Sequence, residues 1–258
     1  MSDKPLFPNG ATLIFGASGG IGRGVAESFG EAGSAVALCY RSKPHVAEEA
    51  ATAIAAHGVK TSTHEVDVTD PDAVERAVAE AAKAHGRIHT VVFAAGPVVE
   101  QVTLAETTPE LWRRSIEIET IGFFNVMRAT IPHLRAQGGG SYVHLGSAGD
   151  VWWPHKDGLS VAPKASNEAL IRGIAKEEGV NNIRANSVLV GVIEAGMFLE
   201  LLQRGVFDEA WIKETQKLLA LKKWGQPEDI GNAAVFLAST KAGYITGQQI
   251  NVSGGFGI

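Results

Sequence analysis

Short apolar runs alternate along the chain with longer segments whose apolar positions recur at helical spacing, the pattern of an α/β protein built on a parallel sheet. Ala11–Phe15 predicts a buried strand, and residues 21–29 a helix with Ile21, Val25 and Phe29 on one face. Ala35–Tyr40 predicts a second strand, followed by Arg41, Ser42, Lys43 and a helix that Pro44 helps to start. A third strand is expected over 61–66, then Asp70 as an N-cap with Pro71 behind it, and an amphipathic helix over 74–84. Ile88–Phe93 is a fourth apolar strand, and a long helix is expected over 109–136 until Gly138, Gly139 and Gly140 end it. Ile116, Ile118, Ile121, Phe123, Phe124, Val126 and Met127 make that helix too apolar for one exposed on a side, so part of it is expected to meet another subunit. The pattern closes with strands over 142–147, Ile183–Val190 and 248–252, and helices over 159–178 and 227–239. Between the sixth strand and the last helix, residues 192–225 are amphipathic and interrupted at Gly205, which suits either a lid over an apolar substrate or ordinary core helices.

The first strand and first helix are joined by Gly16-Ala17-Ser18-Gly19-Gly20-Ile21-Gly22. At such a junction free backbone N–H groups and the positive end of the helix dipole point outward, and glycines let an anion approach the backbone. A dinucleotide pyrophosphate is the expected guest, with the turn residues Gly16, Ser18, Gly19, Gly20, Ile21 and Gly22 around it. A site for NAD usually has an acid at the tip of the second strand to bond the adenosine ribose, and that acid repels a 2′-phosphate. Here the tip is Tyr40-Arg41-Ser42-Lys43, two cations and hydroxyls without an acid, so NADP is favoured over NAD.

At 258 residues, 45% hydrophobic and 20% charged, the composition is that of a single globular domain. A formal net charge of −5 without a basic run argues against nucleic acid, and the apolar runs are too short to span a membrane. The stretch Met1-Ser2-Asp3-Lys4-Pro5 lacks an apolar signal region, and Cys39 is a lone cysteine, both consistent with a reducing, cytoplasmic location. The reading includes a small-molecule substrate and no metal.

Together Gly16-x-x-x-Gly20-x-Gly22, Asp67-Val68, Ala95-Gly96, Ser147, Lys164, Arg184-x-Asn186-x-Val188 and Tyr244-Ile245-Thr246-Gly247-Gln248 resemble the short-chain dehydrogenase/reductase family over essentially the whole chain, and the second-strand tip is similar to that of NADP-dependent 3-oxoacyl-reductase-like members. The resemblance implies a single Rossmann-like, doubly wound domain with a seven-stranded parallel sheet and helices on both faces. It implies that Asp67 and Val68 flank the adenine, that Ala95 and Gly96 lie against the adenosine side, and that Gly191 and Ile193 lie at the cofactor with Ile193 on the nicotinamide. Lys164 would bond the nicotinamide ribose and Ser147 the substrate oxygen. It also implies a dimer or tetramer formed through the helix with Gly122 and Phe124 and the one starting near Ser160.

The departures fall at the catalytic positions. By the family pattern a Tyr is expected where this chain has Ser160, and an Asn where it has Glu119. An aliphatic hydroxyl is a weaker acid than a phenol and shorter by a ring, so Ser160 cannot take the Tyr role in place. Three readings follow. The favoured one is an NADP(H)-dependent oxidoreductase on a carbonyl/alcohol pair whose proton comes from water, His155 or Asp157, with Glu119 holding Lys164 or relaying a proton. The others are redox-neutral chemistry with Glu119, His155 or Asp157 as acid or base, and a catalytically silent NADP-binding protein. Trp152, Trp153, Met197, Phe198 and Trp211 are candidates to line an apolar substrate pocket.

Overall fold

The computed structural model describes residues 5–258; of the stretch Met1-Ser2-Asp3-Lys4-Pro5 read for a signal region, the first four residues lie outside them. Among the described residues seven strands form one parallel sheet, in the order β3-β2-β1-β4-β5-β6-β7. They are β1 Ala11–Phe15, β2 Ala35–Tyr40, β3 Thr61–Glu65, β4 Ile88–Phe93, β5 Gly140–Ser147, β6 Ile183–Val190 and β7 Gln249–Val252. β1, β2, β4 and β6 have the expected limits; β1 and β2 are mostly apolar runs between turns. β5 starts two residues early at Gly140, whose N–H donates to the Asn182 carbonyl at 3.1 Å.

Alternating side chains send the strands' apolar groups to both faces. Leu13 and Phe15 of β1 pack on one side with Val74, Ala77, Phe123, Val126 and Ile171. These come from α3 Pro71–His85, α5 Gly122–Ala136 and α6 Gly158–Glu177. Ile14 packs on the other side with Val25, Phe29, Ile54, Ile230 and Ala234, from α1 Gly20–Glu31, α2 Pro44–Ala55 and α9 Pro227–Ala238. Asp70 caps α3 as expected, its carboxylate accepting from the Asp72 and Ala73 amides at 2.9 and 3.0 Å.

The long helix expected over 109–136 is continuous but not regular. α4 Pro109–Ile116 runs into α5 through a π-helical turn, Glu117–Ile121, so one residue more than the α-helical count is wound into the middle of it. Trp112, Ile121 and Phe124 of this helix are exposed. The segment after β6 contains α7 Met197–Gln203 and α8 Glu209–Leu218, broken at Gly205 with φ +70°. No helix among the described residues is long and apolar enough to cross a membrane.

Candidate active site

The order of addition reverses between β1 and β4, and at that switch point a crevice opens at the carboxyl ends of the strands. Gly16 ends β1 there with φ +88°, and a Cβ on it would lie 2.7 Å from the Ala94 carbonyl and the Ala95 nitrogen. Only glycine combines that backbone with that approach. α1 then starts at an N-cap, Gly19, that makes no side-chain bond to the first amides, so those donors face the crevice uncapped.

A cavity of about 1060 Å³ runs from the β2 tip, past this turn, to α7 and α8. Every residue expected at the cofactor lines it: Gly16, Ser18, Gly19, Gly20, Ile21, Gly22, Tyr40, Arg41, Ser42, Asp67, Val68, Ala95, Gly96, Lys164, Gly191 and Ile193. At the β2 end, burial pushes the Asp67 carboxyl up, but the Thr69 amide and hydroxyl at 2.9 and 2.8 Å, with Arg41 nearby, outweigh it and hold the carboxyl below its ordinary value. The uncapped helix start and the cradle at Gly16 fit a dinucleotide.

At the other end Ser147, Ser160, His155, Asp157 and Lys164 line the same cavity. Ser147 ends β5 and its hydroxyl accepts the Gly149 N–H at 3.1 Å. Ser160 is buried one turn before Lys164 on α6. His155 is exposed on the rim. Lys156 turns the loop with a left-handed φ of +68°, and Asp157 follows at the base of α6, bridged to Val102. Gln101 Nε2 donates to the Asp157 carboxyl at 3.2 Å. Burial pushes that carboxyl up to about 6, against the opposing effects of Gln101 and the Lys164 ammonium.

Glu119 does not line the cavity; it lies behind Lys164. The π-helical turn carries it inward, where it is 2% exposed, and its carboxylate accepts from the Lys164 ammonium. Gly96 leaves room for that carboxylate, since a Cβ there would fall 2.5 Å from Glu119 Oε1. The other oxygen, Oε2, has no partner among the described residues. The turn is held to α6 by Asn167 Nδ2, which donates to the Glu119 carbonyl at 3.1 Å, and by Thr120 and Ser166, whose hydroxyls are 2.9 Å apart.

The segment over 192–225 is both core and cavity wall. Phe198 is buried against Phe207, Trp211 and Trp224, with Phe207 and Trp211 stacked at 3.7 Å, and Trp152, Trp153, Met197, Phe198 and Trp211 all line the cavity as expected. Gln101 was missed by the sequence reading; it lies in an irregular loop and carried no motif. Nor did the sequence indicate the buried set of His144, Glu168 and Asn167, in which His144 Nδ1 is 2.8 Å from Glu168 Oε1.

A family model described as enoyl-(acyl carrier protein) reductase matches residues 16–257. The chain is 33% identical over 247 residues to the 3-oxoacyl-(acyl-carrier-protein) reductase of Staphylococcus aureus, covering 95% of this chain and 97% of that one. L-sorbose reductase of Gluconobacter frateurii, solved with NADPH and L-sorbose, superposes with a TM-score of 0.88 at 26% identity, over 98% of each chain. Carveol dehydrogenase of Mycobacterium avium, solved with NAD, gives 0.89 at 26% identity, over 96% of this chain and 97% of that one. These relatives are named as reductases or dehydrogenases, and the two solved ones hold nicotinamide cofactors. By sequence match over nearly its full length and by fold, the chain belongs to the short-chain dehydrogenase/reductase family.

Proposed function

We propose that the protein is an NADPH-dependent reductase of a carbonyl group on an apolar, ring-containing substrate, with Asp157 as the proton donor. The observation that carries this reading is the Asp157 carboxyl, pushed up to about 6 in the cavity wall shared with Ser147 and Lys164. The tyrosines are placed elsewhere. Tyr142 is buried against Thr130, Tyr244 is fully exposed, and Tyr40 is at the β2 tip. No phenol therefore faces the region around Ser147.

The first amides of α1 would hold the pyrophosphate, Arg41, Ser42 and Lys43 the 2′-phosphate, and Lys164 the nicotinamide ribose. The reduced nicotinamide supplies the hydride when bound. The Ser147 hydroxyl hydrogen-bonds the substrate oxygen as charge builds on it. Asp157, a stronger acid than a phenol, delivers the proton to that oxygen and regains one from water at the cavity mouth. Glu119 fixes the Lys164 ammonium from behind. Exposed Trp112, Ile121 and Phe124 support assembly into a homo-oligomer through the α4–α5 helix.

The test is NADPH binding followed by nicotinamide fluorescence, then NADPH consumption in the same sample on adding cyclic ketones. Asp157→Asn is expected to keep binding and to lose turnover by a factor of about 10² to 10⁴. Undiminished turnover in that variant overturns the assignment of the donor. Tight binding with no consumption by the unaltered protein overturns the reductase and favours a redox-neutral or silent role.

A further inference from the structure

Hydride addition to C=O builds negative charge on oxygen, so a site made for it offers cations and proton donors at that atom. Around Ser147 the cavity wall offers Lys164 and Ser160, with His155 and Lys156 on the exposed rim. The ammonium of Lys164 is bound to a carboxylate that is 2% exposed, so much of its charge is offset within the wall. No phenol is present there, and the one acid facing the cavity beside Lys164 is Asp157, tied by Gln101 alone. Phe198, Phe207 and Trp211, from α7, its following turn and α8, line the same cavity, as does Trp153 on the loop before Asp157. A cavity that combines a carboxyl with aromatic faces, its nearest ammonium already paired, suits a cation.

Resting on the reductase reading above, we infer that this cavity takes cyclic imines and iminium ions, reducing C=N in preference to C=O, with Asp157 as counter-ion and the Phe198–Phe207–Trp211 faces against the charged ring. The electron count closes without a phenol. A C=N⁺ carbon accepts the hydride pair from NADPH and forms the C–H bond, the C=N π pair becomes the nitrogen lone pair, and the products are a neutral amine and NADP⁺. A neutral imine first takes the proton of Asp157, which leaves a carboxylate paired to the iminium it has made. The transition state loses positive charge instead of gaining negative charge, so the Glu119–Lys164 pair, which would blunt carbonyl reduction, removes a repulsion here.

The experiment compares three acceptors of similar size with NADPH: tetralone, dihydroisoquinoline and the N-methyl dihydroisoquinolinium ion, each corrected for reaction without enzyme. The iminium ion is expected to give a kcat/KM at least about ten-fold above tetralone. Asp157→Asn is expected to lower kcat for the neutral imine by about 10²-fold, and for the pre-charged iminium to raise KM about ten-fold with a much smaller change in kcat. A readout independent of turnover uses cofactor-free protein: quenching of tryptophan fluorescence by the unreactive N,N-dimethyl tetrahydroisoquinolinium ion, tighter than by tetralin and weakened in Asp157→Asn. Turnover of tetralone with none of the iminium, or equal binding of cation and hydrocarbon, overturns the inference and leaves the carbonyl reductase standing. Absence of NADPH binding, or binding with no acceptor consumed, overturns both. Asp157→Asn that loses NADPH binding is replaced by Gln101→Leu, which removes the bond to the carboxyl and is expected to alter the same ratio of acceptors; an unchanged ratio overturns the inference.

Discussion

The Glu119–Lys164 pair makes an unequal prediction for its two members. Glu119 is 2% exposed with one oxygen already unpartnered, whereas the Lys164 side chain is 19% exposed and reaches cavity water. Lys164→Met strands a carboxylate in the wall, and breaking a buried pair in that way costs about 3–5 kcal/mol. For a chain of this size that is a drop in Tm of about 6–20 °C. Glu119→Gln keeps the shape and strands an ammonium that water still reaches, which costs about 1–2 kcal/mol, or about 2–8 °C. The double variant Glu119→Gln/Lys164→Met has no stranded charge and is expected near the smaller value, a coupling of about 3–5 kcal/mol. Urea unfolding at neutral pH with matched m-values gives the three differences. Equal losses in the two single variants, or a double variant that is their simple sum, would refute the argument that burial of the carboxylate sets the energetics.

Other expectations follow from single residues. Ketone reduction is expected to fall as pH rises through about 6, because a donor must be protonated and burial sets that midpoint at Asp157; Gln101 and Lys164 are the polar groups facing it, and a profile flat from pH 5 to 8, on the order of the window in which such groups titrate, counts against the donor. Arg41→Asp is expected to weaken NADPH by at least about ten-fold and leave NADH binding little changed, measured by nicotinamide fluorescence. His89, stacked on Phe7 at 5.3 Å, has its imidazole pushed down to about 4 by burial and by Arg87. The unfolded chain therefore binds a proton that the native one refuses, stability rises with pH between about 4 and 6.5, and about 3 kcal/mol is lost on acidification. His89→Gln should remove most of that slope in urea midpoints taken across the window.

Much of the fold and of the cofactor end was legible because local pattern decides it. β1 and β4 are short, mostly apolar runs, Asp70 and Pro71 announce α3, and the glycines from Gly16 to Gly22 mark the turn by themselves. The π-helical turn was not legible. Glu117-Ile118-Glu119-Thr120-Ile121 reads as ordinary helix, and what winds in the extra residue is tertiary: Asn167 donating to the Glu119 carbonyl, and Lys164 drawing the side chain inward. Gly140 joins β5 for a similar reason, since Leu134 and the His89 carbonyl leave no room for a Cβ there.

The chemistry of the site rests on pairs brought together across long stretches of chain. Glu119 reaches Lys164 from 45 residues away, and Gln101 reaches Asp157 from 56, tied by the bridge between Val102 and Asp157. By the family pattern a Tyr is expected at Ser160, and the groups that surround that position come from elements the motif does not contain. A carboxylate from the π-helical turn pairs with the ammonium, and a second carboxyl at the base of α6, raised by burial, is the acid the proposal assigns. A phenol introduced by Ser160→Tyr would meet a lysine already paired with Glu119, and an ammonium that is already paired lowers the pKa of a neighbouring phenol less than a free one does. Restoring the ring alone is therefore expected to recover less carbonyl reduction than Ser160→Tyr combined with Glu119→Asn, and equal recovery by the single variant would show that Glu119 leaves the charge of Lys164 intact.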